Sequence, residues 1–209
     1  MDAKYTHILR QFRLSGNPTS CERYGFGHIN ETYLVLTDAG PRYILQKIND
    51  HVFPDVPKLQ HNIAAVTAYL RKQIEEKHGV LNLIPTLDGN TYYYSEVLGY
   101  WRVYDYIENS VCLQQPESPE DFYQSAIAFG TFQQQLTDFP AETLHETIPL
   151  FHNTPNRYKQ LREVLERDPL GRAKDVQDEI AFALAREEKA GQLIALLEAG
   201  KKRKEEVDG

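Results

Sequence analysis

Two cysteines in 209 residues, Cys21 and Cys112, are too few for a disulfide framework and lack metal-ligand spacing. They read as buried, reduced thiols, and that suits a cytoplasmic protein. No apolar run approaches the roughly 18 residues needed to span a bilayer, so no membrane partner is expected. The N-terminus, MDAKYTHILRQFRL, alternates charge with apolar residues and has no continuous apolar stretch, unlike a secretory signal. Basic residues are also in deficit: 23 Lys and Arg stand against 30 Asp and Glu, a formal net charge of -7. That balance argues against nucleic acid as the main partner, because phosphate backbones select basic surfaces. It leaves room for a small basic site that holds one nucleotide. Internal repeats and low-complexity tracts are absent too.

What is present is an ordinary globular composition, 41% hydrophobic and 25% charged, in a chain long enough for one large domain or two lobes. Residues 5–14 read as a short helix or an extended arm, and SGNPTS at 15–20 is a turn-rich break. Two β-prone runs then flank GFGH, a turn at DAGP follows, and RYILQKIN makes a third strand. PDVP breaks the chain and introduces a helix over 57–77, with Leu59, Ile63, Val66, Leu70 and Ile74 as its apolar stripe and Gly79 near its C-cap. VLNLIPT, TYYYSEV and WRVYDYI read as further strands, and the tyrosine cluster among them as strand filling. The order of three strands, a helix and more strands fits an α+β lobe with a mostly antiparallel sheet, not a parallel α/β sheet.

After residue 108 the composition shifts. ENSVCLQQPESPE is a polar linker, and Ser118, Pro119 and Asp121 stand at the N-cap, N1 and N3 of a helix. Phe122, Ala126, Phe129, Phe132 and Leu136 form its expected buried stripe. Helices over 155–167 and 173–199, the second closing at Gly200, and a charged, solvated tail complete the chain. The division is therefore 1–108 for a nucleotide-binding lobe and 109–209 for a linker and the first helices of a second lobe.

The chemistry lies in the first lobe. Gly25-Phe26-Gly27-His28-Ile29-Asn30 carries the first two glycines of a GxGxxG string, with Asn30 at the third place, between two strands. Glycine lets backbone N–H groups approach phosphate oxygens where a Cβ would clash, and Asn tolerates left-handed backbone better than most residues. Taken alone, such a string is more often a plain β-turn. No helix follows, so it is not a dinucleotide fingerprint. Alternation puts Tyr43, Leu45 and Lys47 on one face of the third strand, opposite Ile44, Gln46 and Ile48. A kinase-type lysine that pairs nucleotide phosphates belongs on this strand, so Lys47 is the candidate. Asp105, Tyr106 and Ile107 fall where two lobes would join.

The runs GHINETYLV, RYILQKIND with HVFPD, NIAAVTAYL, YWRVYDYIE and FGTFQQQLTDFPAETLHETIPLFHNTPNRY together resemble the aminoglycoside phosphotransferase superfamily, in the branch that contains N-acetylhexosamine 1-kinase. The resemblance runs from about residue 20 to 160, with a looser helical continuation. It implies a protein-kinase-like bilobal fold, ATP with Mg2+, and phosphoryl transfer to a small-molecule hydroxyl, in that branch the anomeric hydroxyl of an amino sugar. Nucleotide contacts carry over to Gly25, Gly27, His28, Asn30 and Lys47, and to main-chain groups of Asp105, Tyr106 and Ile107.

Two departures stand against the pattern. The helix after the lysine strand has His61 and Asn62 where a glutamate partner for Lys47 is expected, and Glu75 and Glu76 lie at its far end. Phosphoryl transfer in this superfamily also needs a His-x-Asp loop, a following Asn and a metal-binding Asp, and no such set occurs. His152-Asn153-Thr154 is a decoy without the carboxylate, and Asp175 and Asp178 read as solvated surface. The chain thus reads as cut before its catalytic loop, with no catalytic residue or metal ligand of its own and apolar helix faces that favour self-association. A non-catalytic nucleotide-binding or regulatory module, a kinase for another small alcohol or amino alcohol, and an α+β interaction protein without a nucleotide are the competing readings.

Overall fold

A computed structural model of the chain describes residues 1–76 and 79–208, with the side chains beyond Gly200 left aside. Two compact units emerge, Met1–Ile148 and Pro149–Gly209. The composition break at 108 lies inside the first.

The first unit is built on a six-stranded sheet. β1 (Pro18–Arg23), β2 (Glu31–Thr37), β3 (Arg42–Ile48), β6 (Gly99–Asp105) and β4 (Leu83–Ile84) lie side by side in that order, and β5 (Tyr93–Ser95) pairs with β6. Every pairing is antiparallel, which matches the α+β expectation. Alternation divides the side chains between two faces. One face carries Tyr33, Val35, Tyr43, Leu45, Trp101 and Val103 into the core, where Ile8, Leu9 and Phe12 from α1 (Ala3–Leu9) and the turn after it pack on them. Asp2 caps α1 by accepting from the Lys4 N–H at 2.8 Å. The other face carries Leu34, Ile44, Gln46, Arg102 and Tyr104.

The helix α2 (Val56–Arg71) starts as the sequence predicts, with Asp55 as N-cap accepting from the Lys58 N–H at 3.1 Å. It ends six residues short of the expected 77. The Arg71 guanidinium turns to the carbonyls of Glu76 and Val80, at 3.1 and 2.7 Å, and folds the chain back on itself. Gly79 is therefore not its C-cap, and Lys77, at the expected end, lies with His78 outside the described residues. Asn62, one of the two residues found where an acid was expected, makes a clasp instead. Its carbonyl accepts from the His145 N–H at 2.9 Å and its amide donates to the His145 carbonyl at 2.7 Å. His61 and His145 rings stand 5.0 Å apart beside it. The residue-141 to 148 segment is thereby fastened to α2. Asn62→Ala is expected to destabilise the first unit by about 1–2 kcal/mol, the scale of two hydrogen bonds. Urea unfolding measures this, and unchanged protection of the His145 amide against exchange would refute the clasp.

Beyond the linker, α3 (Pro119–Gln135) begins with the expected capping box, the Ser118 hydroxyl accepting from the Asp121 N–H and the Asp121 carboxylate accepting from the Ser118 N–H. Its predicted buried stripe is not buried. Phe122 is 67% and Phe129 68% exposed. Cys112 is exposed as well, against expectation, since it sits in the polar linker; Cys21 is half-buried, and burial pushes its thiol up to about 11.

In the second unit, α4 (Thr154–Arg167) fits the expected helix over 155–167. The predicted helix over 173–199 is instead α5 (Gln177–Leu184) and α6 (Gln192–Asp208), with single 3-10 turns before and between them. Tyr158 donates to the Ala183 carbonyl at 2.8 Å and the Arg162 guanidinium pairs with Glu187, holding the break that precedes Gly191. Gly200 does not close the last helix, which runs through it.

Candidate nucleotide site

The loop at 24–30 closes the β1–β2 hairpin. The ladder continues into it, with Arg23 opposite Tyr33 and the Tyr24 N–H donating to the Thr32 carbonyl at 2.9 Å. Gly25 needs its glycine for a left-handed backbone, φ +75°. Gly27 does not; a Cβ there would meet nothing within 4 Å, so its backbone is open to a ligand. His28 stands exposed beside it. Asn30 departs from its expected reason for being there. It is not among the described residues with positive φ; its side-chain oxygen accepts from the Asn49 N–H at 2.9 Å, and the Asn49 amide donates to the Ile29 carbonyl at 3.1 Å. Two asparagines thus tie the end of the loop to the chain leaving β3.

Register decides which candidates meet. Lys47 lies opposite Glu31 on β2 and Trp101 on β6, on the face that α1 covers. Its Nζ is 3.8 Å from Glu31. Glu31 also accepts from the Tyr33 hydroxyl at 2.7 Å. That hydrogen bond foremost, and the positive charges of Lys47, Lys4 and Arg23, hold the Glu31 carboxyl below its usual range, while burial pushes the Tyr33 phenol up. Lys47 and Ile29 border one cavity of about 230 Å3 with Glu31, Asn49, Asp50 and His51. Lys47 therefore joins the far end of the loop, at the lip of the sheet.

The opposite face brings the loop to the candidate hinge. Tyr24 continues the row of Thr32, Gln46 and Arg102, and Tyr106, whose N–H donates to the Arg42 carbonyl at 3.1 Å, continues the row of Leu36 and Arg42. Their hydroxyls meet at 3.3 Å with the rings T-shaped, 5.8 Å between centroids. The Tyr106 hydroxyl beside it raises the Tyr24 phenol above its ordinary range. Arg42 sits over the Tyr106 ring at 4.5 Å and pairs with Glu108. Asp105 is fixed from β4's approach, its N–H donating to the Asn82 carbonyl at 3.1 Å and its carboxylate accepting from the Asn82 amide at 2.8 Å. The Ile107 carbonyl accepts from the Ser110 hydroxyl at 2.7 Å. Leu34, Ile44 and Tyr104 form the row between those of Tyr24 and Tyr106 on the same face, with Ile44 buried. The structure brings Tyr24 of the loop to Tyr106 on this face and leaves Lys47 on the other.

Sequence reading missed Glu31 as the partner of Lys47. The signal was available: a tight turn at 38–41 between β2 and β3 sets the register, and Leu36 opposite Arg42 carries Glu31 to Lys47. Of the decoys, Asn153 caps α4, accepting from the Asn156 N–H at 2.8 Å, and Asp175 and Asp178 are exposed. Among the described residues, no three His, Cys, Asp or Glu side chains gather as a cation site, so no ligand for Mg2+ is assigned.

Residues 20–205 match the model of the family described as "Phosphotransferase enzyme family". Among solved structures, an aminoglycoside phosphotransferase from Alicyclobacillus acidocaldarius is similar over 92% of this chain and 52% of its own, at 16% identity and a TM-score of 0.52. A microcompartment-associated aminopropanol kinase is similar over 71% of this chain and 42% of its own, at 18% identity and a TM-score of 0.46. The chain spans about half the length of the solved structures it matches. The first likeness supports the kinase-like fold.

Proposed function

This chain belongs to the phosphotransferase enzyme family, and on that premise we propose that it supplies the nucleotide-binding lobe for ATP-dependent phosphoryl transfer to a small-molecule hydroxyl. The observation that supports the reading best is the contact of Tyr24, in the 24–30 loop, with Tyr106, in the 105–107 connection. The apolar row of Leu34, Ile44 and Tyr104 beside that strand-to-linker connection suits a purine, whose edge pairs with main-chain groups of Asp105 and Ile107 next to Tyr106. Gly25, Gly27, His28 and Asn30 lie where the loop covers the phosphates, and Lys47 stands at the lip. ATP supplies the transferable phosphoryl group when bound; this chain's residues bind and orient it. Residues 1–108 would form this lobe and 109–209 the linker and first helices of the next, in a cytoplasmic protein that uses Mg2+. The acceptor we propose is an amino sugar, an N-acetylhexosamine phosphorylated on its anomeric hydroxyl, on the strength of the GHINETY and LHETIPLFHNTP runs. The second reading is a nucleotide-binding module without chemistry, favoured by the absence of a His-x-Asp set from these residues.

Titration calorimetry with ATP tests the shared part of both readings. Binding is expected, with Lys159→Ala, on exposed α4, unchanged. No heat and no thermal shift with ATP, ADP or adenosine would remove the nucleotide. The exposed Phe122, Phe129 and Phe132 also support self-association through α3. Light scattering is expected to show a dimer; a monomer at high concentration counts against it.

A further inference from the structure

Thr32, Gln46 and Arg102 form one polar row across three strands, on the face of the sheet opposite α1. The Gln46 amide donates to the Thr32 hydroxyl at 2.9 Å. Its carbonyl then accepts from both Nε and Nη2 of Arg102, at 3.0 and 2.6 Å. These contacts fix the plane of the guanidinium and leave its remaining edge: Nη1 is buried without a hydrogen-bond partner. No carboxylate pairs with Arg102 among the described residues, whereas Arg23, Arg42, Lys47, Lys58 and Arg162 each have one. Burial lowers the Arg102 pKa, but guanidinium stays charged in proteins. A half-buried cation with no counter-charge and an orphaned donor is costly on both counts. An anionic acceptor at Nη1 would relieve both.

We propose that Arg102, held flat by Gln46, is the cation that receives the phosphate chain of the nucleotide, on the side of the sheet opposite Lys47. This rests on the nucleotide reading of that face. Arg102 stands four residues back from Tyr106 along the chain, about 13 Å at roughly 3.3 Å per residue. The row of Leu34, Ile44 and Tyr104 lies between them, so a base at Tyr106 points its phosphates to Arg102. Lys47 is already paired with Glu31 and shares its cavity with Asp50, a second negative charge.

The test compares ATP, adenosine and inorganic tripolyphosphate on the full chain by calorimetry and thermal shift. Arg102→Met is expected to weaken ATP by about 10- to 100-fold, the scale of a charge-assisted hydrogen bond. Adenosine should be unaffected and the stabilisation by tripolyphosphate lost, with Lys47→Met losing much less. Gln46→Glu gives Arg102 an internal counter-charge. It should keep the fold while reducing the tripolyphosphate response, so the proposal stands or falls even if Arg102→Met does not fold. Unchanged ATP affinity in both variants, equal loss of adenosine, or a larger loss in Lys47→Met would overturn it. A wild type that binds neither ATP nor adenosine overturns the nucleotide reading. In that case a tripolyphosphate response that depends on Arg102 sustains the anion site, and its absence overturns that too.

Discussion

No sugar phosphate above background is expected when these 209 residues are purified and incubated with ATP, Mg2+ and N-acetylglucosamine or N-acetylgalactosamine. The groups proposed for binding are present: a loop with an open Gly27 backbone, the Tyr24–Tyr106 contact and a guanidinium with an orphaned donor. Transfer needs more. A carboxylate has to orient and deprotonate the acceptor hydroxyl, worth about 10²–10⁴-fold by itself. Further acids must hold the metal that neutralises charge developing on the transferred group. The sequence has no His-x-Asp with a following Asn, and the described residues gather no cation site. Kinases of this kind turn over at about 1–100 s⁻¹; a coupled assay on the chain alone should fall at least about 10²-fold below that range. Turnover within it would return Asp175 or Asp178, both exposed near the start of α5, to candidacy as the base. Nucleotide binding without turnover is the combination the proposed role requires.

Trp101→Ala is expected to cost the first unit about 3–5 kcal/mol, the range for removing a large buried aromatic. The indole is fully buried at the centre of β6, in the cluster that joins α1 to the sheet. Its N–H donates to the Leu98 carbonyl at 2.8 Å. Tyr5 and Tyr33 stack around it with centroids 6.2 Å away, and the Lys4 ammonium lies 5.2 Å from its ring. The substitution opens a cavity and leaves that carbonyl without its donor. Since small domains have only about 5–15 kcal/mol in total, much of the unit's margin goes. Guanidinium unfolding followed by far-UV circular dichroism gives the value, and a loss below about 1 kcal/mol would mean that α1 does not depend on Trp101 for docking.

The hairpin, the lysine strand and the capping box of α3 were legible because each has a local cause: a turn dipeptide, strict alternation, a Ser-Pro-x-Asp string. Fold class followed from their order. What stayed hidden depends on partners distant in sequence. Arg71 reaches forward to Glu76 and Val80, and that shortens α2 below its hydrophobic period. Phe122 and Phe129 have helical spacing, but periodicity tells which residues share a side, not whether anything covers it. Alternation correctly set Lys47 and Gln46 on opposite faces. Only the packing of Ile8, Leu9 and Phe12 shows which face α1 covers, and that leaves Gln46 and Arg102 on the other.

The burial of Trp101 has an optical consequence. It is the sole tryptophan of the chain, so nearly all indole emission reports one spot beneath α1. Sealed from water, it should emit at the blue end of its range and resist quenching by iodide. Peeling α1 from the sheet should shift the emission red before the strands separate. A ligand settling on the other side of the sheet should leave the spectrum where it was, so this built-in fluorophore watches the core and is blind to the proposed site.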